Sequence, residues 1–175
     1  RPDPDVRGDS VSIEVTYAVT GTIVETLTGP FVSAADATTT TNGLNIAGVL
    51  NASSTVPATK YAAGRLTLSS GSGTLDLTVL PGRTADEVVD GTGLKLQLLI
   101  LHAESDNANP ITATKGASNG YGLNAAGGTW TMTLDPDTTG VRFLKDAAPD
   151  IDSTHKTIDV SGAGSQVLDY EIVMG

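Results

Sequence analysis

The sequence predicts an all-β protein, a β-sandwich of jelly-roll type with about nine or ten strands and at most one short helix. Three observations carry that expectation. Apolar residues alternate with polar ones at period two through the first strand-like run, where Val11, Ile13, Val15, Tyr17 and Val19 are spaced by Ser12, Glu14, Thr16 and Ala18. Short β-rich runs recur every 10 to 15 residues with turn residues between them, as in sandwiches. Only one segment carries a helix start signal.

The first ten residues, RPDPDVRGDS, hold two prolines and mixed charges, so they predict an extended arm ahead of a single domain spanning residues 11–175. After the first strand, a second is expected over residues 22–27, ending at Gly29-Pro30. Residues 33–64 are rich in Ala, Thr, Asn, Ser and Gly and read as a long, loop-rich excursion. Leu44, Ile46, Val49 and Leu50 allow one short strand there. Leu66 and Leu68, then Ser70-Gly71-Ser72-Gly73, then Leu75, Leu77 and Val79 predict a hairpin. Thr84 and Glu87 are spaced as a capping box, which predicts up to two helical turns before Asp90.

Residues 94–103, LKLQLLILHA, start in alternation and become continuously apolar, which predicts a central strand buried on both faces. Further strands are expected over residues 111–114, 129–134, 141–144, 156–160 and 167–174, with an exposed acidic loop over 145–154. Aromatic residues make up only 4% against 39% hydrophobic, so the core must be built from Val, Leu, Ile and Ala.

The formal charge is −10, and the bases are scattered singly, so direct nucleic-acid binding is not expected. No apolar run approaches the roughly 18 residues a membrane helix needs. With no cysteine, disulfides and thiolate metal sites are excluded. The chain opens at Arg1 without a basic-then-apolar leader, so any targeting segment is expected to have been removed or never to have existed.

Several motifs echo chemistry without supplying its context. Gly116-Ala117-Ser118-Asn119-Gly120 fits the nucleophile-elbow pattern, with Asp135, Asp137 and His155 following in hydrolase order. The elbow needs a helix after its serine, and Tyr121-Gly122-Leu123-Asn124-Ala125-Ala126-Gly127-Gly128 will not hold one. Asp135, Asp137 and Asp146 echo a calcium loop, but strands rather than helices are expected around them and Pro136 favours a plain turn. Asp146, Asp150 and Asp152 read as a solvated loop. Arg7-Gly8-Asp9 and Asn51-Ala52-Ser53 match short adhesion and glycosylation tripeptides that recur by chance. His102 reads as a partly buried polar residue and His155 as a solvated one. Trp130 reads as a core residue, with a sugar platform as the rival. No catalytic, cofactor-binding or metal-binding residue is assigned, and no enzyme is expected.

The layout of residues 75–175 resembles small structural proteins encoded beside the head genes of tailed bacteriophages. The parts that carry the resemblance are the leucine-rich run 94–102, the turns of 104–109, the glycine-asparagine loop 116–122, the threonine-rich run 129–134 and the ending VSGAGSQVLDYEIVMG. The resemblance implies a virion structural component, often a head decoration or cement protein, with no catalytic residues. On that basis the expected partners are the major capsid protein lattice and further copies of the chain, with a trimer favoured. The expected place is the capsid exterior. Two alternatives are a tail or fibre component and a secreted bacterial surface or carbohydrate-binding module.

Overall fold

The computed structural model describes residues 13–26, 38–51, 53–82, 87–144 and 146–175, and all regular structure among them is strand. The expected arm of residues 1–10 and the start of the expected helix, Thr84 to Asp86, lie outside the described residues. Among the described residues twelve strands are formed, more than the nine or ten expected. They are β1 (Val15–Thr26), β2 (Thr38–Leu50), β3 (Lys60–Thr67), β4 (Ser72–Asp76), β5 (Leu80–Pro81) and β6 (Val88–Val89). Then follow β7 (Leu96–Ala103), β8 (Ile111–Lys115), β9 (Thr131–Leu134), β10 (Thr138–Phe143), β11 (Thr157–Ser161) and β12 (Val167–Met174).

Eight of these strands pair as a nested ladder. β3 pairs with β12, β4 with β11, β7 with β10 and β8 with β9, all antiparallel. The ladder then closes on itself through β12 with β7 and β11 with β8. The result is two four-stranded sheets, ordered β10-β7-β12-β3 and β4-β11-β8-β9. This winding of one long double strand into two facing sheets is the jelly roll.

The predicted turn after β3 is present, but it does a different job from the one expected. Ser70 and Gly71 both have positive φ, at 52° and 81°, as a two-residue primed turn requires, and Ser69 and Ser72 bridge across it. The strands on either side enter different sheets, so the turn is a corner of the sandwich rather than the tip of a flat hairpin. A side chain at Gly71 would also run into the Gly162 carbonyl, 2.6 Å from where its Cβ would sit. Asp135 to Asp137 form the corresponding corner between β9 and β10, with Thr138 N–H donating to the Asp135 carbonyl at 3.1 Å.

The period-two pattern places the core. Along β12, Leu168, Tyr170, Ile172 and Met174 face inward. They meet Leu99, Leu101 and Ala103 of β7, and across the sandwich Leu75, Ile111, Met132, Ile158 and Val160. The core is aliphatic, as the low aromatic content required. Tyr121 is an exception: it is fully buried, accepts the Leu96 N–H at 3.0 Å and donates to the Pro149 carbonyl at 2.7 Å. It thereby holds the loop ahead of β11 against the start of β7.

Three expectations are corrected. Of the expected loop-rich excursion over residues 33–64, the described part contains the thirteen-residue strand β2 and the start of β3, while residues 33–37 lie outside the described residues. Threonine is β-branched and suits an extended chain, and a partner strand supplies the pairing that composition does not reveal. The two strands expected before residue 28 are one continuous strand, β1. Where the capping box predicted helix, Val88–Val89 pairs with Leu80–Pro81 as a short ladder.

Replacing Tyr121 with Phe should cost roughly 1–3 kcal/mol, because the Leu96 N–H and Pro149 carbonyl lose their partner. Burial pushes the Tyr121 phenol up to about 12 against the donated Leu96 N–H, with Asp150 adding to the rise. A raised pKa means this stabilisation is complete below the ordinary tyrosine value near 10 and lost as pH climbs through 12. Denaturant midpoints should therefore fall by an equivalent of roughly 2–3 kcal/mol over that window. Tyr121→Phe should remove most of that dependence.

Candidate assembly interface

The sheet β10-β7-β12-β3 has an outer face whose chemistry changes row by row. The register aligns Tyr61, Val173, Leu98 and Phe143 in a first row, and Ala63, Glu171, Ile100 and Val141 in a second. Arg65, Asp169, His102 and Thr139 form a third. The first row is apolar, the second mixed and the third polar. A face of that kind needs cover at one end only.

The cover is the ribbon formed by β1 and β2. These strands are hydrogen-bonded to each other and to neither four-stranded sheet. The base of the ribbon packs Ile13, Val15, Tyr17 and Leu50 over Leu98, Val173, Phe143 and Ile100. The rings of Tyr17 and Phe143 lie 4.0 Å apart, centre to centre, tilted by 36°. Gly48 stands opposite Tyr17 in the ladder, and a methyl group there would collide with the tyrosine hydroxyl. The Gln97 side-chain amide donates to the Val56 carbonyl at 2.7 Å, tying the segment after the ribbon to β7. Burial of residues 96–99 on both faces of β7, expected from the sequence, therefore arises because the ribbon occupies the outer face.

Beyond Tyr17 the ribbon does not follow this face. Val141 of the second row is 52% exposed, and Ala63, Glu171 and Arg65 are exposed as well. β1 nevertheless continues to Thr26, about 30 Å further at ~3.3 Å per residue. A register shift between Gly21 and Thr22 skips Gly43 on β2, a bulge that interrupts the ladder within the part of the ribbon beyond its docked base. Between the base and the sheet edge, Ile13, Val15, Tyr61, Val88, Leu98 and Val173 line a groove of about 790 Å³, together with Glu14, Lys60, Glu87 and Glu171.

Polar contacts hold the rest of the surface. Arg65 grips Asp169 through two hydrogen bonds at 2.7 and 2.8 Å and also bonds Glu104. The hydrogen bonds and charge of Asp169 and Glu104 push the arginine above its ordinary range. His102 meets the Thr139 hydroxyl at 3.0 Å. Lys156 reaches Asp76 at 2.6 Å, and Asp76 also accepts the Thr78 N–H and hydroxyl. Partial burial works to raise the Asp76 carboxyl, but these donors outweigh it and hold it below the ordinary value.

The motifs singled out in the sequence are not assembled into a catalytic group. Ser118 is exposed in a loop with no helix after it, its carbonyl accepting the Thr157 hydroxyl at 2.5 Å. His155 is engaged in its own turn, with Asp152 accepting its backbone N–H at 2.8 Å and lying 3.1 Å from Nδ1. Hydrogen bonds from Thr154, then His155, hold Asp152 well below the usual carboxylate range. Asp150 pairs with Lys95 at 2.9 Å. Among the described residues, no group of three or more His, Asp or Glu is placed to hold a metal ion. Trp130 is half-buried against the core and donates its indole N–H to the Tyr121 carbonyl at 2.8 Å. Asn51 closes a turn by accepting the Ser53 N–H at 2.9 Å. What sequence reading missed is the docked ribbon; its one signal was the alternation of Ile13, Val15 and Tyr17 without a matching partner.

Compared with protein-family models and with curated proteins, the chain matches none.

Truncating Leu98 to Ala should cost about 2–3 kcal/mol, near the low end for a buried leucine because the site opens at the groove. Hydrogen exchange should then accelerate in β1 and β2 while β12 keeps its protection, since the loss falls on ribbon docking rather than on the inner core. Equal acceleration in all strands would contradict a separately docked ribbon.

Proposed function

We propose that this chain is a non-enzymatic structural protein of a virus particle, a decoration or cement protein that stabilises a head by binding the capsid lattice. The observation that carries the reading is the β1–β2 ribbon, riveted at its base to the sandwich, with β1 running on to Thr26 beyond the last docked residue, Tyr17. A rigid jelly roll with a long appended ribbon suits a component whose task is contact. Weak contacts repeated over a symmetric lattice multiply into stable attachment. The sequence resemblance to phage head proteins points the same way. The net charge of −10 favours solubility over nucleic-acid contact, so the lattice and further copies of the chain, as a trimer, are the partners proposed.

The carbohydrate-binding alternative, as read from the sequence, needs an exposed Trp130 or Tyr121 beside polar groups. Tyr121 is fully buried, and Trp130 is committed to the core edge and to the Tyr121 carbonyl.

The test is imaging of purified protein added to tailed-phage heads that lack their decoration protein. Ordered density at symmetry-related sites on the head exterior is expected, and deletion of residues 1–10 should weaken that attachment while leaving the circular dichroism spectrum unchanged. Rings or spikes formed without heads would overturn the decoration role in favour of a tail or fibre component. Selective glycan binding without head attachment would overturn the virion reading as a whole.

A further inference from the structure

A two-stranded antiparallel ribbon has two outer edges, each presenting every second N–H and C=O of its strand. In a protein such edges are normally covered, charged or interrupted, because an open edge recruits another strand. Among the described residues, β1 and β2 have no partner strand except each other. The usual protection is also sparse. The 12 residues of β1 and 13 of β2 contain no proline, no lysine and one charged residue, Glu25. In a chain that is 17% charged, this is an uncharged stretch where several charges would be expected. The bulge at Gly43 is the one device along it that would hinder edge pairing, and it leaves a continuous run on either side.

Charge decides what such an edge can meet. Two copies of this chain each carry −10 and repel one another over most of their surfaces. The ribbon is the long element on which that repulsion is nearly absent, and it leaves Val141, Ala63 and Arg65 of the outer face uncovered. We infer that the distal ribbon, residues 18–26 and 38–47, pairs edge to edge with the same ribbon of a second copy, joining the two into one continuous β-sheet. This rests on the reading of the chain as an assembly protein and names the partner for one of its elements. Main-chain hydrogen bonds would supply the affinity, and threonine-rich strands tolerate the pairing because they are β-branched and uncharged.

The experiment uses the full chain. Sedimentation should show an oligomer that dissociates on dilution. The double variants Thr20→Lys/Thr40→Lys and Thr20→Glu/Thr40→Glu should each sediment as monomers, since like charges then face each other whatever their sign, with a thermal midpoint matching that of wild type diluted until it dissociates. Mixing the two variants should restore the oligomer, because opposite charges then meet. Hydrogen exchange adds a second readout. In the wild-type oligomer, consecutive amides along at least one ribbon strand should exchange about tenfold or more slowly than in the variants, where only alternate amides stay protected. A monomeric wild type, variants that still associate, or a mixture that stays monomeric would each overturn the inference. A monomeric protein that still decorates heads would sink ribbon pairing and leave the decoration role standing. A ribbon-paired oligomer that attaches to no head would do the reverse.

Discussion

Strand β7 has apolar side chains on both faces, and the structure is arranged to keep water from both. On the inner side Leu99, Leu101 and Ala103 meet the second sheet across the sandwich. On the outer side Leu98 and Ile100 would face solvent if the eight-stranded jelly roll were the whole molecule. Burying a leucine side chain is worth about 2 kcal/mol, so an apolar outer row of four residues is a substantial penalty if left wet. The ribbon base removes most of it by covering Leu98, Val173 and Phe143, while Tyr61 stays 39% exposed beside the groove. β7 is therefore the middle layer of a local three-layer stack: second sheet, first sheet and ribbon.

That arrangement explains why the outer face grades from apolar to polar. Where the ribbon sits, the row Tyr61, Val173, Leu98 and Phe143 is apolar. Where it has left, Arg65, Asp169, His102 and Thr139 pair among themselves and with Glu104 in water. Exposed ion pairs of this kind contribute little to stability, so the polar row is best understood as solvated surface rather than as a brace. The partly buried pair of Asp76 and Lys156 is different in kind, since it joins the end of β4 to the residue just ahead of β11.

The loops that looked chemical in the sequence have structural employment. The glycine-rich run 116–120 is stitched to the start of β11, where the Asn119 carbonyl accepts the N–H groups of Lys156 and Thr157 at 2.7 and 3.0 Å. Asp152 spends its acceptor capacity on Thr154 and His155. Asp135 terminates a corner. Residue types that could do catalysis are instead closing turns, the commonest use of Asp, Asn and Ser between strands.

Local pattern determined much of this protein. Alternation in residues 167–174 and 111–114 located strands and their inward faces, the unbroken apolar run of 94–103 marked the central strand, and Ser70-Gly71 marked a turn. These are short-range properties, because a side chain's face follows from its parity along the chain. Tertiary structure alone decided which strands became neighbours. Nothing in Leu66 to Val79 says that the two arms of that turn enter different sheets, since the choice depends on partners about 80 to 100 residues away in β11 and β12. Nor does the composition of residues 38–50 announce a long strand, because threonine, asparagine and glycine become one only when β1 lies alongside. The ribbon, and with it the candidate interface, belongs to long-range pairing, which a one-dimensional pattern does not encode.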